Sequence, residues 1–136
     1  MCATKPKKLL QSFSATDGSI FQIKIRLLHI SPMVWRRVLV PASFTLHELH
    51  GVIQAVMGWE GLHLFQFQVR AVHYGSFDLM IENPAVPLER FGFRKNGRFA
   101  YIYDMGVWWE HEVRIENRLD VGFVSIKERV VPQRIE

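Results

Sequence analysis

Five side chains that can bind metal or transfer protons fall in two segments of the sequence. His63 begins one apolar stretch, and the other segment holds Asp104, Glu110, His111 and Glu112. Imidazole and carboxylate groups are common metal ligands and common general acids and bases. If the two segments are neighbours in a sheet, His63, Asp104 and His111 could converge. These three are the candidate catalytic residues of a metal-assisted, phosphoester-processing enzyme.

The spacing of these residues argues against a metal site. They form no HxH, HExxH or CxxC pattern, and successive strand residues point to opposite faces of a sheet. Glu110 and Glu112 share one face and His111 lies on the other, so the three cannot bind one ion. We expect no metal and no cofactor, and we expect His111 to pack in the core with its nitrogens hydrogen-bonded. The alternative metal site would use His63 and His111.

Asp104 has a second, structural interpretation. It precedes Gly106 by two residues, and an aspartate often accepts backbone N–H groups two residues further on, in an Asx turn. We therefore expect its carboxylate to anchor the turn, with Gly106 free to adopt a positive φ. The alternative is that Asp104 points with His63 or His111 into a cleft. We expect His63 to be partly buried and hydrogen-bonded.

Basic and aromatic residues alternate in one irregular segment. They are Arg90, Phe91, Phe93, Arg94, Lys95 and Arg98. Such a segment can hold a nucleic-acid backbone and stack bases, so its four cations are the candidate nucleic-acid-binding residues. The alternative is a solvated loop whose phenylalanines fold back on the core. Arg36 and Arg37 point to opposite faces of a strand, so we expect one of them to pair with a carboxylate such as Asp104 or Glu110.

Length and composition restrict the class of protein. The chain has 136 residues, 49% hydrophobic and 12% aromatic, which suits one folded domain and excludes wholesale disorder. The formal net charge of +4 permits contact with phosphates without requiring it. Cys2 is the one cysteine, so no internal disulfide can form. No apolar run is long enough to span a membrane, and we expect a cytoplasmic protein.

The hydrophobic pattern predicts an α+β fold. Apolar and polar residues alternate in 19–30, 33–40, 98–104 and 108–119, and 62–75 reads as a strand or hairpin. Between them, Leu46, Leu49, Ile53 and Val56 recur at helical spacing, with a capping box from Thr45 to Glu48 and a stop at Gly58. The order β-β-α-β-β-β-β predicts a mostly antiparallel sheet packed on one principal helix.

Composition divides the chain into three segments. Residues 1–18, with Lys5, Lys7 and Lys8, are predicted to be a mobile arm; 19–128 form one domain; and 129–136 form a tail. A short last strand is expected at 123–126, and the stretch 75–96 is predicted to be a mobile loop. His47 and His50 lie three residues apart in the helix and are expected to face water and the sheet edge. The predicted core residues are Trp35, Leu49, Ile53, Trp59, Phe67 and Trp109.

Several segments together resemble one protein family. They read IKIRLLHISPMVWRRVLVP at 23–41, TLHELHGVIQAVMGW at 45–59 and YIYDMGVWWEHEV at 101–113, with His63, Phe67 and Tyr74-Gly75 between them. The pattern is similar to that of the plasmid pRiA4b ORF-3-like family, also called resolvase-like. The chain departs from the family pattern at three places. The family often has histidine at the position of Phe65, and it has an acidic residue at the position of Val107. The C-terminal segment of the chain also differs.

The resemblance implies an association with plasmids or mobile elements. A serine or tyrosine recombinase needs a nucleophile surrounded by arginines. No serine or tyrosine of this chain has that sequence context, except weakly Ser43 at the start of the helix. We therefore expect a non-catalytic binding or accessory module whose partner is nucleic acid or another protein. The alternative is the metal-assisted enzyme that uses His63, Asp104 and His111.

Overall fold

The computed structural model describes residues 18–120 as one antiparallel sheet covered on one face by a helix. The strands are β1 (Ser19–Leu27), β2 (Val34–Pro41), β3 (Phe65–Val69), β4 (Val72–Gly75), β5 (Arg98–Tyr103) and β6 (Trp109–Asp120), and α1 spans Leu46–Met57. The predicted α+β order is confirmed. The N-terminal arm, the strand at 123–126 and the tail at 129–136 lie outside the described residues.

The spatial order of the strands is β2-β1-β6-β5-β3-β4. Three hairpins account for the neighbours in sequence: β1 with β2, β3 with β4, and β5 with β6. The last strand, β6, also pairs with β1, from Leu27 opposite His111 to Ser19 opposite Asp120. This pairing joins the N-terminal hairpin to the rest of the sheet. No helix within 18–120 has the length and apolarity that crossing a membrane requires.

Local sequence signals define both ends of α1. The Thr45 hydroxyl accepts the N–H of Glu48, and the Glu48 carboxylate accepts the N–H of Thr45, which is the predicted capping box. Gly58 ends the helix at φ 81°, in the left-handed region that glycine adopts at little cost. Leu46, Leu49 and Ile53 are fully buried against the sheet, as their spacing predicts.

The core lies between α1 and one face of the sheet. Alternate residues of the strands face it, including Ile23, Ile25, Val38, Phe67 and Tyr101, which are all fully buried. Trp59 and Trp109 pack at its margin and are partly buried.

Trp35 is not a core residue, contrary to the prediction. It lies on the sheet face turned away from α1, which we call the outer face, and pairs in register with Arg26. The Lys24 ammonium and the Arg37 guanidinium each lie 4.9 Å from the centre of its ring. Cations are attracted to the face of an indole ring, so Trp35 is stabilised there without burial in the core.

The two adjacent arginines of β2 point to opposite faces, as expected, but their partners differ from those predicted. The Arg36 Nε donates to the carbonyl of Val56 at 2.9 Å, near the end of α1. Arg37 forms a two-pronged ion pair with Glu116, at 2.7 and 3.1 Å. The strand register decides this choice, because β6 places Glu116 on the outer face next to β1, where Arg37 of β2 reaches it across that strand.

The stretch 75–96 is irregular, but it is attached to the domain along much of its length. The N–H groups of Leu46 and His47 donate to the carbonyls of Val86 and Pro84, and Leu88 donates to Phe44. The Leu88 side chain is fully buried in the core. The prediction of a mobile loop overlooked Leu88, whose burial holds this stretch against the start of α1.

The central contact of helix and sheet can be tested by removing one side chain. Ile53→Ala should reduce the free energy of unfolding by about 2–5 kcal/mol, because it empties a fully buried site. Ala55→Ser on the exposed side of the same helix should change it by about 0.5 kcal/mol or less. Urea unfolding of both variants measures the difference, and equal losses would contradict the described packing.

Candidate functional site

An open cleft of about 250 Å³ lies between the end of α1 and the turn that joins β5 to β6. Aromatic and acidic side chains dominate its lining, which consists of Gly58, Trp59, Glu60, Leu62, His63, Tyr103, Asp104 and Trp109. The Trp59 ring centre is 5.3 Å from that of Trp109 and 5.6 Å from that of Tyr103. Trp59 packs between Trp109 and the buried Tyr103, and His63, Asp104 and Glu60 line the cleft beside these rings.

The Asp104 carboxylate anchors the turn, as predicted. Its Oδ1 accepts the N–H groups of Gly106 at 3.0 Å and Val107 at 3.3 Å. The expected positive φ is found at Asp104 itself, at 69°, and at Trp108, at 67°, rather than at Gly106. Asp104 also takes part in the alternative arrangement, because its Oδ2 lies 3.6 Å from the Nε2 of His63 in the cleft.

His63 is more exposed than predicted, with 54% of its side chain accessible. Its imidazole packs edge-on against Tyr103, with ring centres 5.7 Å apart. The Tyr103 hydroxyl accepts the backbone N–H groups of Leu62 and His63 and so holds this segment against the sheet. His63 therefore has Asp104 as an ion-pair partner, but their separation exceeds hydrogen-bond length.

His111 does not join the other two candidates in the cleft. It has no exposed surface, and both ring nitrogens are engaged: Nδ1 donates to the carbonyl of Tyr101 at 3.1 Å, and Nε2 accepts the Trp59 indole N–H at 3.2 Å. Burial lowers the pKa of His111 to about 4, so the ring is neutral near pH 7. Within 18–120, the structure contains no group of three His, Cys, Asp or Glu side chains that could hold a metal ion.

A buried polar network connects α1 to β5, and sequence analysis did not identify it. The Tyr101 hydroxyl donates to the Nδ1 of His50 at 2.7 Å and accepts from the Nε2 of Gln54 at 2.9 Å. The Gln54 Oε1 accepts the N–H of Gly61, which fixes the segment after the helix. The spacing of His50 and Gln54, four residues apart on one helix face, was the available signal.

Burial in this network changes two ionisation equilibria. Desolvation, with a smaller effect from His47, lowers the pKa of His50 to about 4, and desolvation raises the pKa of Tyr101. His50 also stacks on Phe65, with ring centres 3.7 Å apart. His50 therefore faces the sheet, where Phe65 is its stacking partner, and His47 faces water, which agrees with the prediction that this pair faces water and the sheet.

The four predicted nucleic-acid-binding residues are divided between two sides of the sheet. Arg90 follows Leu88, whose side chain enters the core, so it lies on the same side as α1. Arg94 and Lys95 are exposed in the turn that leads into β5. Arg98 lies on the outer face and pairs with Glu112 at 3.2 Å. The interleaved phenylalanines fold back on the core, where Phe93 stacks on Phe99 with centres 5.0 Å apart.

The outer face instead carries a line of four cations on four adjacent strands. Arg37 of β2 lies opposite Lys24 of β1, Lys24 lies opposite Arg114 of β6, and Arg114 lies opposite Arg98 of β5. We call these four residues the cationic row. Neighbouring strands are about 4.8 Å apart, so the row extends for about 14 Å. The exposed Arg94 and Lys95 precede its Arg98 end along the chain.

Only part of the charge of the cationic row is neutralised. Glu116 pairs with Arg37, and the guanidinium holds the pKa of Glu116 below its usual range. The Glu112 carboxylate pairs with both Arg98 and Arg26. Arg26 follows Lys24 as the next residue of β1 whose side chain lies on the outer face. Within the described residues, nothing accepts a hydrogen bond from the buried Nε of Arg114. Like charges at directly paired positions destabilise a sheet, so the row has an electrostatic cost.

The two roles of Asp104 can be separated by substitution. Asp104→Asn keeps an oxygen that can accept the N–H groups of Gly106 and Val107, so the melting temperature should change little. Asp104→Ala leaves both donors without that partner and should reduce stability by about 1–2 kcal/mol. Thermal and urea unfolding of both variants provide the comparison. Equal losses for Asn and Ala would show that the negative charge, rather than the acceptor geometry, stabilises the turn.

The buried histidines predict a loss of stability in acid. The pKa values of His50 and His111 are about 4 in the folded protein, below the ordinary value of about 6.5. Between these values the unfolded chain binds more protons, so the free energy of unfolding should fall as the pH decreases from about 6.5 to 4. Fully buried His111 alone accounts for up to about 3 kcal/mol.

Urea unfolding at several pH values tests this dependence. His50→Gln should reduce the slope of stability against pH, because one of the two titrating groups is removed. His73→Gln, at an exposed position on β4, is the matched control and should leave the slope unchanged. A slope that is the same in all three proteins would contradict the assignment of His50 as a neutral, buried group.

The comparison with known proteins identifies the family. A profile described as Plasmid pRiA4b ORF-3-like protein matches residues 19–127. The uncharacterized protein y4hQ of Sinorhizobium fredii (strain NBRC 101917 / NGR234) is 38% identical over 105 residues, which cover 73% of this chain. That match covers 54% of y4hQ, so this chain spans about half the length of its curated relative.

A solved structure has the same fold. The crystal structure of MM3350 from Methanosarcina mazei Go1, a protein of unknown function, aligns with a TM-score of 0.72 and 27% identity. The alignment covers 85% of this chain and 67% of MM3350. Sequence profile, relative and fold agree, and the chain belongs to the plasmid pRiA4b ORF-3-like family.

Proposed function

We propose that the protein is a non-catalytic module that binds the phosphate backbone of nucleic acid on the outer face of its sheet. The observation that carries the proposal is the cationic row, in which Lys24 and Arg114 have no carboxylate partner within hydrogen-bond distance among the described residues. A polyanion would relieve the repulsion within the row, and it would pair with Lys24 and with the accessible part of the half-buried Arg114 side chain. The proposal places this activity in the cytoplasm.

The dimensions of the outer face suit a short stretch of one strand. The row extends for about 14 Å, which is long enough to contact the phosphates of a few successive nucleotides of a single strand. Trp35 lies beside the row and is half-buried, so its indole can stack with a base. Arg94 and Lys95 would continue the positive surface at the Arg98 end. Backbone contacts carry no sequence information, so we expect binding with little sequence preference.

The enzymatic alternative is less well supported by the same geometry. It requires His63, Asp104 and His111 to act on one substrate. His63 and Asp104 do lie together in the cleft. His111 is buried with both nitrogens hydrogen-bonded to the protein, and so it cannot bind a metal or exchange a proton without breaking those contacts.

The dependence of binding on salt tests the proposal. Fluorescence anisotropy with a labelled oligothymidylate gives the dissociation constant at a series of NaCl concentrations. Each phosphate contact on a single strand contributes about 0.7 to the slope of log K against log salt. The double variant Lys24→Gln, Arg114→Gln should therefore lower the slope by about 1.4 and weaken binding at low salt.

Arg90→Gln is the matched control, because it removes one exposed cation from the opposite side of the sheet. It should leave both the affinity and the slope nearly unchanged. The proposal would be wrong if the wild-type protein failed to bind, or if the double variant bound as well as wild type. If only a combined Arg90→Gln, Arg94→Gln, Lys95→Gln variant lost binding, the interface would lie in the segment before β5 rather than on the cationic row.

A further inference from the structure

We propose that the cleft between α1 and the β5–β6 turn binds an organic cation, such as an alkylammonium or guanidinium group. This site is separate from the cationic row and does not depend on the proposed nucleic-acid binding. The cleft combines the two features that such a ligand requires: aromatic faces and carboxylates. The partly exposed Trp59 and Trp109 supply the faces, Tyr103 packs behind them with 3% of its surface exposed, and Asp104 and Glu60 supply the charge.

The aromatic surface is held in place by hydrogen bonds that lie behind it. The Trp59 indole N–H donates to buried His111, which fixes the plane of the ring. The Tyr103 hydroxyl is fixed by the N–H groups of Leu62 and His63. A cation binds to an aromatic face within about 6 Å of the ring centre. Because the rings are already positioned, little conformational entropy is lost on binding.

The Asp104 carboxylate has one oxygen available to a ligand. Oδ1 is occupied by the turn, where it accepts two backbone N–H groups. Within 18–120, no group donates a hydrogen bond to Oδ2, and its nearest charged neighbour is the His63 Nε2 at 3.6 Å. The side chain is only 16% exposed. A carboxylate oxygen that is largely removed from water and has no donor is a strong acceptor for a cationic N–H group.

The charge of the cleft favours a cation over an anion. Glu60 and Asp104 are both acidic, and His63 is the one basic side chain in the lining. The lining therefore has more acidic than basic side chains beside its aromatic rings. A volume of about 250 Å³ accommodates a small amine or the end of a lysine or arginine side chain. The cleft therefore suits the cationic group of an organic ligand, which is either a free small molecule or a side chain of a peptide.

Isothermal titration at constant ionic strength tests the site with three probes. Tetramethylammonium chloride represents a free organic cation, and a short peptide with one central arginine represents a partner's side chain. Potassium chloride is the control, because potassium is a cation without an organic group. We expect saturable binding of an organic probe and none of potassium. Tighter binding of the peptide would assign the site to a protein partner, and tighter binding of the free cation would assign it to a small molecule.

Four variants separate the site from the fold and from the outer face. Asp104→Asn keeps the turn acceptor and removes the charge, so it should raise the dissociation constant about tenfold. Trp109→Leu should weaken binding, and Trp108→Leu, at an exposed neighbour outside the cleft, is its matched control. Arg114→Gln should bind the cation as well as wild type. The proposal is overturned if neither organic probe binds wild type, or if folded Asp104→Asn binds with unchanged affinity.

Discussion

The Tyr101 hydroxyl is the contact on which the arrangement of helix and sheet depends. It is buried between α1 and β5, donates to His50 and accepts from Gln54. An unpaired polar group at this depth would cost about 1–3 kcal/mol, and the network contains several such groups. A shift of α1 along the sheet would break these bonds together. The network therefore selects one position of the helix from the many that apolar packing alone would allow.

Both candidate sites follow from this arrangement. Gln54 holds Gly61, and the Tyr101 carbonyl holds His111, which in turn orients Trp59. These contacts position the walls of the cleft at the end of α1. On the outer face of the sheet, the alternate residues of the same strands include the charged side chains of the cationic row. The face under α1 thus provides stability, and among the described residues the outer face carries the cationic row on which we propose that nucleic acid binds.

The sequence predicted the features that depend on neighbouring residues. The alternation of β1, the capping box of Thr45 and Glu48 and the turn at Asp104 all depend on contacts within a few positions. The features that it did not predict depend on strand order. Arg114 lies between Lys24 and Arg98 because β6 is placed between β1 and β5. No local pattern specifies that neighbour.

The environment supplied by the fold decided the role of two further side chains. Hydrophobic character predicted burial for Trp35, but its strand position places it on the outer face among cations. The expectation that His111 packs in the core with its nitrogens hydrogen-bonded is confirmed. The sequence did not identify its partners, Trp59 and Tyr101, because the fold brings them together.

The most direct test of the outer face as a nucleic-acid-binding surface is a nitrogen-15 NMR titration with an oligothymidylate. The account predicts that backbone and side-chain signals of Lys24, Trp35, Arg98 and Arg114 shift progressively and saturate. Signals of α1 and of the segment around Arg90 should stay unchanged. Shifts confined to that segment or to the cleft, or no shifts at all, would contradict it.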